Sequence, residues 1–306
     1  MKSATVKAYG KINICLNVTG IKNGYHMLDG IVTTVDKYDK ITVTKRKDDK
    51  ILLNLVGKYG SYNFIQEDMN AYKAAELFIN KYNVTGVTIT VERNIPDGSG
   101  MGGSSADIAG VLKAMAKLFN VTDSLKDLAD ALGSDSGYLL EGGFARLTSR
   151  GEVIEKINSK WRPYFLVIYA KEGVNTAKCF KEFDSGNYQG LISDVDCVKN
   201  AVINENINEM VDKTGNALTL PAITLNSEIQ ENLNALKSLS PSVYGMTGSG
   251  STVFSMYDSY EMASWAHSKL KKKYGSKVEI LYTYNPNYKP FIKGFLERFN
   301  LTDTDN

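Results

Sequence analysis

The sequence predicts an α+β protein of two domains, residues 1–157 and 158–306, on three observations. Both halves mix helical periodicity with hairpin-like strand pairs, not the regular strand-helix alternation of a doubly wound parallel sheet. The 306 residues exceed one typical domain, and two cores of roughly 150 residues each are the natural expectation. A break at Asn158-Ser-Lys-Trp-Arg-Pro163 precedes a new apolar strand, Tyr164-Phe-Leu-Val-Ile-Tyr169, and marks the boundary.

In the first half, strands are expected around 4–9, 11–18, 30–36, 40–45 and 87–92, and helices around 70–82, 105–119 and 124–132. Within 11–18, Ile12, Ile14, Leu16 and Val18 fall on one face. Strict alternation then puts Lys11, Asn13, Cys15 and Asn17 on the other, which turns Lys11 and Asn13 toward one cleft. In the second half, helices are expected around 196–212, 226–239 and 259–273, with strands around 252–257 and 278–284. The polar tail, Asn300–Asn306, is expected to fray.

A formal net charge of +2 gives no general attraction to polyanions, so neither nucleic acid nor membrane is an expected partner. The three cysteines, Cys15, Cys179 and Cys197, lack metal-ligand spacing, and their odd number suits reduced thiols in the cytoplasm. The first residues have no apolar signal core, and no apolar run is long enough to span a bilayer, so a soluble, unprocessed chain is expected.

Chemistry concentrates in Asn94-Ile-Pro-Asp-Gly-Ser-Gly-Met-Gly-Gly-Ser-Ser-Ala106, where four glycines and three serines stand between a strand and a helix. Before it, Val87-Thr-Ile-Thr-Val-Glu92 alternates as a half-buried strand does. After it, Ile108, Val111, Leu112, Met115 and Leu118 recur at helical spacing, with Ser104 or Ser105 as the expected N-cap. Glycines admit an anion to the backbone, and a helix N-terminus offers it unpaired N–H groups. The loop is therefore built for polyphosphate.

Other polyphosphate folds fit less well. No second strand with a ribose-binding acid follows, as a dinucleotide fold requires, and neither a Walker loop nor the protein-kinase signatures are present. A second Gly/Ser loop, Gly245-Met-Thr-Gly-Ser-Gly-Ser-Thr252, leads into the strand at Val253. Taken singly, Lys11 reads as a solvated strand lysine and Asp135 as a cap for Tyr138-Leu-Leu140; His267, on an amphipathic helix, reads as structural.

Together the lysine-bearing strand and the two loops resemble the small-molecule kinases named after galactose, homoserine, mevalonate and phosphomevalonate, the GHMP kinases. Gly10-Lys-Ile-Asn13, Asn23-Gly-Tyr-His26, Pro96–Asp107, Leu132-Gly-Ser-Asp135, Gly142-Gly143, Arg150-Gly-Glu152 and Met246–Thr252 are similar, in order and spacing, to the signatures of the 4-diphosphocytidyl-2-C-methyl-D-erythritol kinases within that family. The resemblance implies an N-terminal ATP-binding domain like domain 2 of ribosomal protein S5 and a C-terminal ferredoxin-like α/β sandwich. It implies ATP and Mg2+ as cofactors and a small-molecule alcohol as partner, in a monomer or homodimer.

Carried over by position, the ATP phosphate loop would be Pro96, Asp97, Gly98, Ser99, Gly100, Met101, Gly102, Gly103, Ser104, Ser105 and Ala106, with Ser105 near the magnesium. Asp135 would take the proton of the acceptor hydroxyl, and Lys11 would stabilise charge beside it. Asn13 would line the same site. Tyr25 and His26 would meet a cytosine, and Phe180 would close over it.

The chain departs from the family pattern at three places. Ser134-Asp-Ser-Gly137 replaces Ala-Asp-Val-Pro, Gly-Gly-Ser-Ser-Ala replaces Gly-Gly-Gly-Ser-Ser, and Met69 stands where an asparagine is expected beside the adenine. Two alternatives therefore stay open: the same chemistry on another small alcohol (homoserine, mevalonate or a sugar), and a catalytically silent nucleotide sensor. The Tyr25-His26 pair discriminates between the acceptors, because a cytosine-reading site needs stacking and edge hydrogen bonds that a small alcohol does not.

Overall fold

The computed structural model describes residues 1–61 and 63–285; the expected fraying at 300–306 lies outside them. The first half holds β1 (Ser3–Lys22), β2 (Tyr25–Lys45), β3 (Ile51–Gly57), α1 (Asn70–Tyr82), β4 (Val87–Arg93), α2 (Gly103–Phe119), α3 (Lys126–Asp130), α4 (Ser136–Leu139), β5 (Ala145–Ser149) and β6 (Val153–Lys156). The second holds β7 (Tyr164–Ile168), α5 (Thr176–Ser185), α6 (Val195–Ile203), α7 (Thr219–Leu225), α8 (Glu228–Lys237), β8 (Val243–Met246), β9 (Val253–Tyr257), α9 (Tyr260–Tyr274) and β10 (Val278–Tyr282). Among the described residues, one sheet runs β3-β4-β2-β5-β6 with β1 on β2, and the other runs β10-β7-β9-β8. Among the strands of the described residues only β3 and β4 pair in parallel, so the architecture is α+β.

The four short strands expected over 4–45 are two long ones, β1 and β2, forming a single hairpin. Register shifts at Tyr9/Lys11, Asn13/Cys15 and Val18/Gly20 interrupt the alternation without ending the strand. The shift at Asn13/Cys15 overturns the expected facing. Asn13 pairs with Val32 and Cys15 with Ile31, so Ile14 is the extra residue of a bulge and side-chain parity reverses beyond it. Ile12, Ile14 and Cys15 join the first apolar cluster, whereas Leu16 and Val18 join the second. Leu16, not Cys15, thus follows Lys11 and Asn13 on the cleft side.

The expected helix over 196–212 ends at Ile203, where Asn204 and a left-handed Glu205 stop it before a short 3-10 turn, Ile207–Met210. Strands β3, β5, β6 and β8 and helices α5 and α7 have no counterpart among the expected elements. Apolar packing is continuous across residue 157: Phe165, Val167, Phe254 and Met256 of the second sheet belong to the first cluster. This shared core fixes β1 against both halves. Leu16 N donates to Gly215 O at 2.9 Å and Val18 N to Gly190 O at 2.8 Å.

Candidate active site

The phosphate-loop segment is fastened at its start by buried charge. Asp39, at the middle of β2, accepts hydrogen bonds from Asn94 N at 2.5 Å and Ile95 N at 2.8 Å. Arg93, the last residue of β4, donates to Asp97 in the loop at 2.7 Å and to Asp107 on α2 at 3.1 Å. Burial pushes the Asp107 carboxyl up to about 7, with Asp39 adding to the rise and Arg93 opposing it.

Helix α2 starts differently from expectation. Its N-cap is Gly102, in the left-handed region at φ 74°, with no side-chain cap, while Ser104 and Ser105 lie inside the first turn. Because glycine supplies the entry geometry, both hydroxyls are released from capping. Ser104 Oγ accepts from Asn70 Nδ2 at 2.6 Å, joining α1 to α2, and Ser105 faces the cleft. The first N–H groups of the helix remain donors for an anion.

The second Gly/Ser loop backs the first. Ser251 N and Thr252 N donate to Gly98 O and Ser99 O at 3.0 and 3.1 Å, and Thr247 Oγ1 donates to Gly100 O at 3.2 Å. A β-carbon on Gly100 would stand 2.1 Å from Thr247 O, so glycine there permits loop-on-loop packing. Of the eleven residues expected at the phosphates, Met101 and Ala106 do not reach the cleft; both side chains are fully buried. Met101 acts through its backbone, accepting from Lys11 N at 2.9 Å.

That bond sets Lys11 beside the loop. Its ammonium is 3.6 Å from Asp135 Oδ2 and donates to Asn13 Oδ1. Lys11 is almost wholly buried, and burial pulls its pKa below the ordinary lysine value while Asp135 pushes back upward. Asp135 immediately precedes α4 but its carboxylate makes no capping bond. The side chain is 28 % exposed and opens onto the cleft beside Lys11. Asn13 N, in turn, is held by Thr247 Oγ1 at 3.0 Å.

At the other end of the cleft, Tyr25 and His26 begin β2 and Phe180 comes from α5. The His26 ring stacks on Phe180, centroids 4.5 Å apart and planes at 26°. Arg150, in the turn between β5 and β6, lies 5.0 Å from the Tyr25 ring centroid. Sequence reasoning placed Arg150 and Ser249 in motifs without giving them a site role, and missed Leu16, Thr176 and Leu218. Thr176 and Ser249 share a hydroxyl contact of 2.8 Å. The bulge at Ile14 concealed Leu16, and Thr176 and Leu218 lie at the starts of α5 and α7, which periodicity did not reveal. All these groups line one cleft of about 480 Å3, with Lys11 against Gly102 of the glycine loop and Asp135 against Gly151, next to Arg150.

Residues 70–145 match the model of the GHMP kinases N terminal domain. A 4-diphosphocytidyl-2-C-methyl-D-erythritol kinase of Clostridium perfringens (strain 13 / Type A) is 34 % identical over 294 residues, covering 92 % of this chain and 99 % of the relative. The chain belongs to the GHMP kinase family, among its 4-diphosphocytidyl-2-C-methyl-D-erythritol kinases. It is a small-molecule kinase. The Macrococcus caseolyticus kinase of that name is 36 % identical over 258 residues, 81 % of this chain and 88 % of its own. In fold, this GHMP kinase matches a crystal structure of 4-(cytidine 5'-diphospho)-2C-methyl-D-erythritol kinase at TM-score 0.73 and 24 % identity, covering 92 % of this chain and all of the other. A homoserine kinase from Cytophaga hutchinsonii follows at 0.72 and 15 %, covering 93 and 95 %.

Proposed function

We propose that the protein transfers the γ-phosphoryl group of ATP to the 2-hydroxyl of 4-diphosphocytidyl-2-C-methyl-D-erythritol, a step of non-mevalonate isoprenoid precursor synthesis. One observation carries the assignment: the Lys11–Asp135 pair shares a single cleft with a backbone anion cradle and an aromatic patch. The relatives named for this reaction support it. In this scheme residues 1–157 hold the nucleotide and residues 158–306 bring Phe180 over the acceptor's base.

Phosphoryl transfer asks a protein mainly for alignment and charge stabilisation. The backbone N–H groups at Gly102–Ser105 hold the phosphate oxygens. Asp135 accepts the proton of the acceptor hydroxyl as its oxygen bonds to phosphorus and the bond to the leaving phosphate oxygen breaks. Lys11, kept close by Met101 O and 3.6 Å from Asp135, offsets negative charge on the moving phosphoryl group. Among the described residues no cluster of three or more His, Cys, Asp or Glu could hold a metal unaided. Magnesium is commonly bound by substrate phosphates with one or two protein oxygens. Ser105, with Asp135 in the same cleft, would hold magnesium brought in with ATP. When bound, Mg2+ with ATP supplies the phosphoryl group and neutralises its charge.

The test is ADP release by the purified chain with a panel of acceptors: the cytidylated methylerythritol, mevalonate, homoserine and galactose. Turnover of the first, with the others at least about a hundredfold lower in kcat/KM, is the expected result. Preference for one of the small alcohols would overturn the acceptor assignment, and no turnover of any would favour the silent sensor.

A further inference from the structure

We infer that Asp184 is a positioning residue for the base-reading histidine, fixing its tautomer so that the cleft selects a cytidine-bearing acceptor over a uridine-bearing one. The inference rests on the proposed function and adds a residue that does not itself line the cleft. His26 Nε2 and Asp184 Oδ1 are 2.7 Å apart, joining the start of β2 to α5 across 158 sequence positions. The imidazole is also held by rings of the same helix, stacked on Phe180 and edge-on to Phe183 at 6.2 Å and 84°. The side chain is 16 % exposed, so ring rotation is restricted by packing on α5.

An ionised carboxylate only accepts hydrogen bonds, so a bond of this length places the hydrogen on Nε2. In the neutral ring Nδ1 is then left as an acceptor, since the partner of one nitrogen decides the state of the other. Among the described residues Nδ1 has no protein partner. An acceptor nitrogen on a cleft-lining ring suits the exocyclic amine of cytosine and opposes the carbonyl oxygen that uracil carries there. Sites that use a buried hydrogen bond in this way discriminate strongly against the mismatched ligand. Asp184 is nearly half exposed and makes its contact through His26, so its effect belongs to acceptor binding and not to the phosphoryl step.

The chain has two histidines, His26 and His267. 15N NMR of histidine-labelled protein, assigned with His26→Ala, therefore reads the tautomer directly. The wild type should show His26 protonated on Nε2, and Asp184→Ala should show a mixture of tautomers. In that variant KM for the cytidylated acceptor should rise about tenfold while KM for ATP moves less than twofold. The preference for the cytidine-linked over the uridine-linked acceptor, as a ratio of kcat/KM, should fall by a similar factor. Asp184→Asn keeps an acceptor oxygen and should recover most of the loss, and it serves as the second variant if Asp184→Ala does not fold.

Nδ1 protonation in the wild type would overturn the inference, and so would an unaltered acceptor preference in Asp184→Ala despite a changed tautomer. If the tautomer is as expected but the wild type phosphorylates no cytidylated acceptor, the proposed function fails and the selective role of Asp184 falls with it. An active wild type carrying the wrong tautomer sinks only the role of Asp184.

Discussion

The two ends of the cleft are made of different material. At the phosphate end the contacts are main-chain groups: left-handed glycines, the first turn of α2, and a second Gly/Ser loop hydrogen-bonded along the first. At the acceptor end the contacts are side chains brought from the β1–β2 hairpin, the β5–β6 turn and α5, with Tyr25 56 % exposed. A backbone cradle tolerates side-chain change where the main chain makes the contact, so Ser104 can replace a glycine and take a bond from Asn70 instead. A side-chain patch has no such reserve, because each ring or charge is the contact itself. Nucleotide binding should therefore be robust to most substitutions here, and acceptor choice should not.

The largest effect should come where the two ends meet. Asp135→Asn keeps the side chain's shape, so it is expected to lower kcat about a thousandfold while ATP and acceptor binding stay within a few fold. Lys11→Ala should also lower kcat, and the double variant should lose less than the product of the single losses, as expected of two charged groups 3.6 Å apart that share one step. Single-turnover kinetics with separate binding measurements check both. A nearly active Asp135→Asn enzyme would mean that alignment alone drives the transfer.

Two glycine substitutions separate the cradle's surface from its support. Gly102→Val forces a branched residue to φ 74° and puts a β-carbon 3.2 Å from Lys11 Cγ, so ATP affinity and turnover should both fall by about tenfold or more. Gly100→Val meets Thr247 O, not the phosphates, so its main outcome should be lost stability from parting the two loops, about 2 kcal/mol or more by denaturant unfolding. Equal ATP loss in both variants, with no stability difference, would erase that distinction.

At the acceptor end, Phe180→Ala and Arg150→Ala should each raise KM for the cytidylated acceptor by about tenfold and leave KM for ATP within twofold, since stacking and cation contacts of this kind are worth about 1 kcal/mol or somewhat more. Steady-state kinetics with each substrate varied in turn makes the measurement. A rise in both KM values would show that the two ends are not independent.

The same contrast explains what was legible in the sequence. The conformation of the glycine loop was legible because glycine spacing encodes backbone conformation directly, and the strand and helix flanking it were readable from periodicity. Helix α1 likewise has the expected span, Asn70–Tyr82. What periodicity could not supply was the bulge at Ile14, which sends Leu16 to the cleft in place of Cys15. Nor could it supply the cap of α2, since serines in good cap positions were pre-empted by a left-handed Gly102. The acceptor end was visible only through motifs. Tyr25, Arg150 and Phe180 are far apart in the chain, and tertiary packing alone brings them together.

The smallest effect on turnover, and the cleanest control, lies away from the cleft at Asp36. Its carboxylate accepts from Tyr282 N at 2.9 Å, linking the first sheet to β10 of the second. Burial pushes its pKa up to about 7, with Glu279 adding to the rise and Lys37 opposing it. Between its unfolded value and about 7 the native state holds this proton more tightly than the unfolded chain does. The group's contribution to stability is then greatest at low pH and is lost as pH rises through that window, at no more than about 1.4 kcal/mol per pH unit. Asp36→Asn keeps an acceptor oxygen and removes the titration. The stability difference, variant minus wild type, should therefore grow from about pH 4 to about pH 7 and stay flat above, while KM for ATP and for the acceptor remain those of the wild type. Denaturant unfolding at a series of pH values tests this; a difference that does not change with pH would place the Asp36 proton in solvent-like surroundings. A changed acceptor KM would show that the contact between sheets, and not only the local patch of rings, sets the acceptor end.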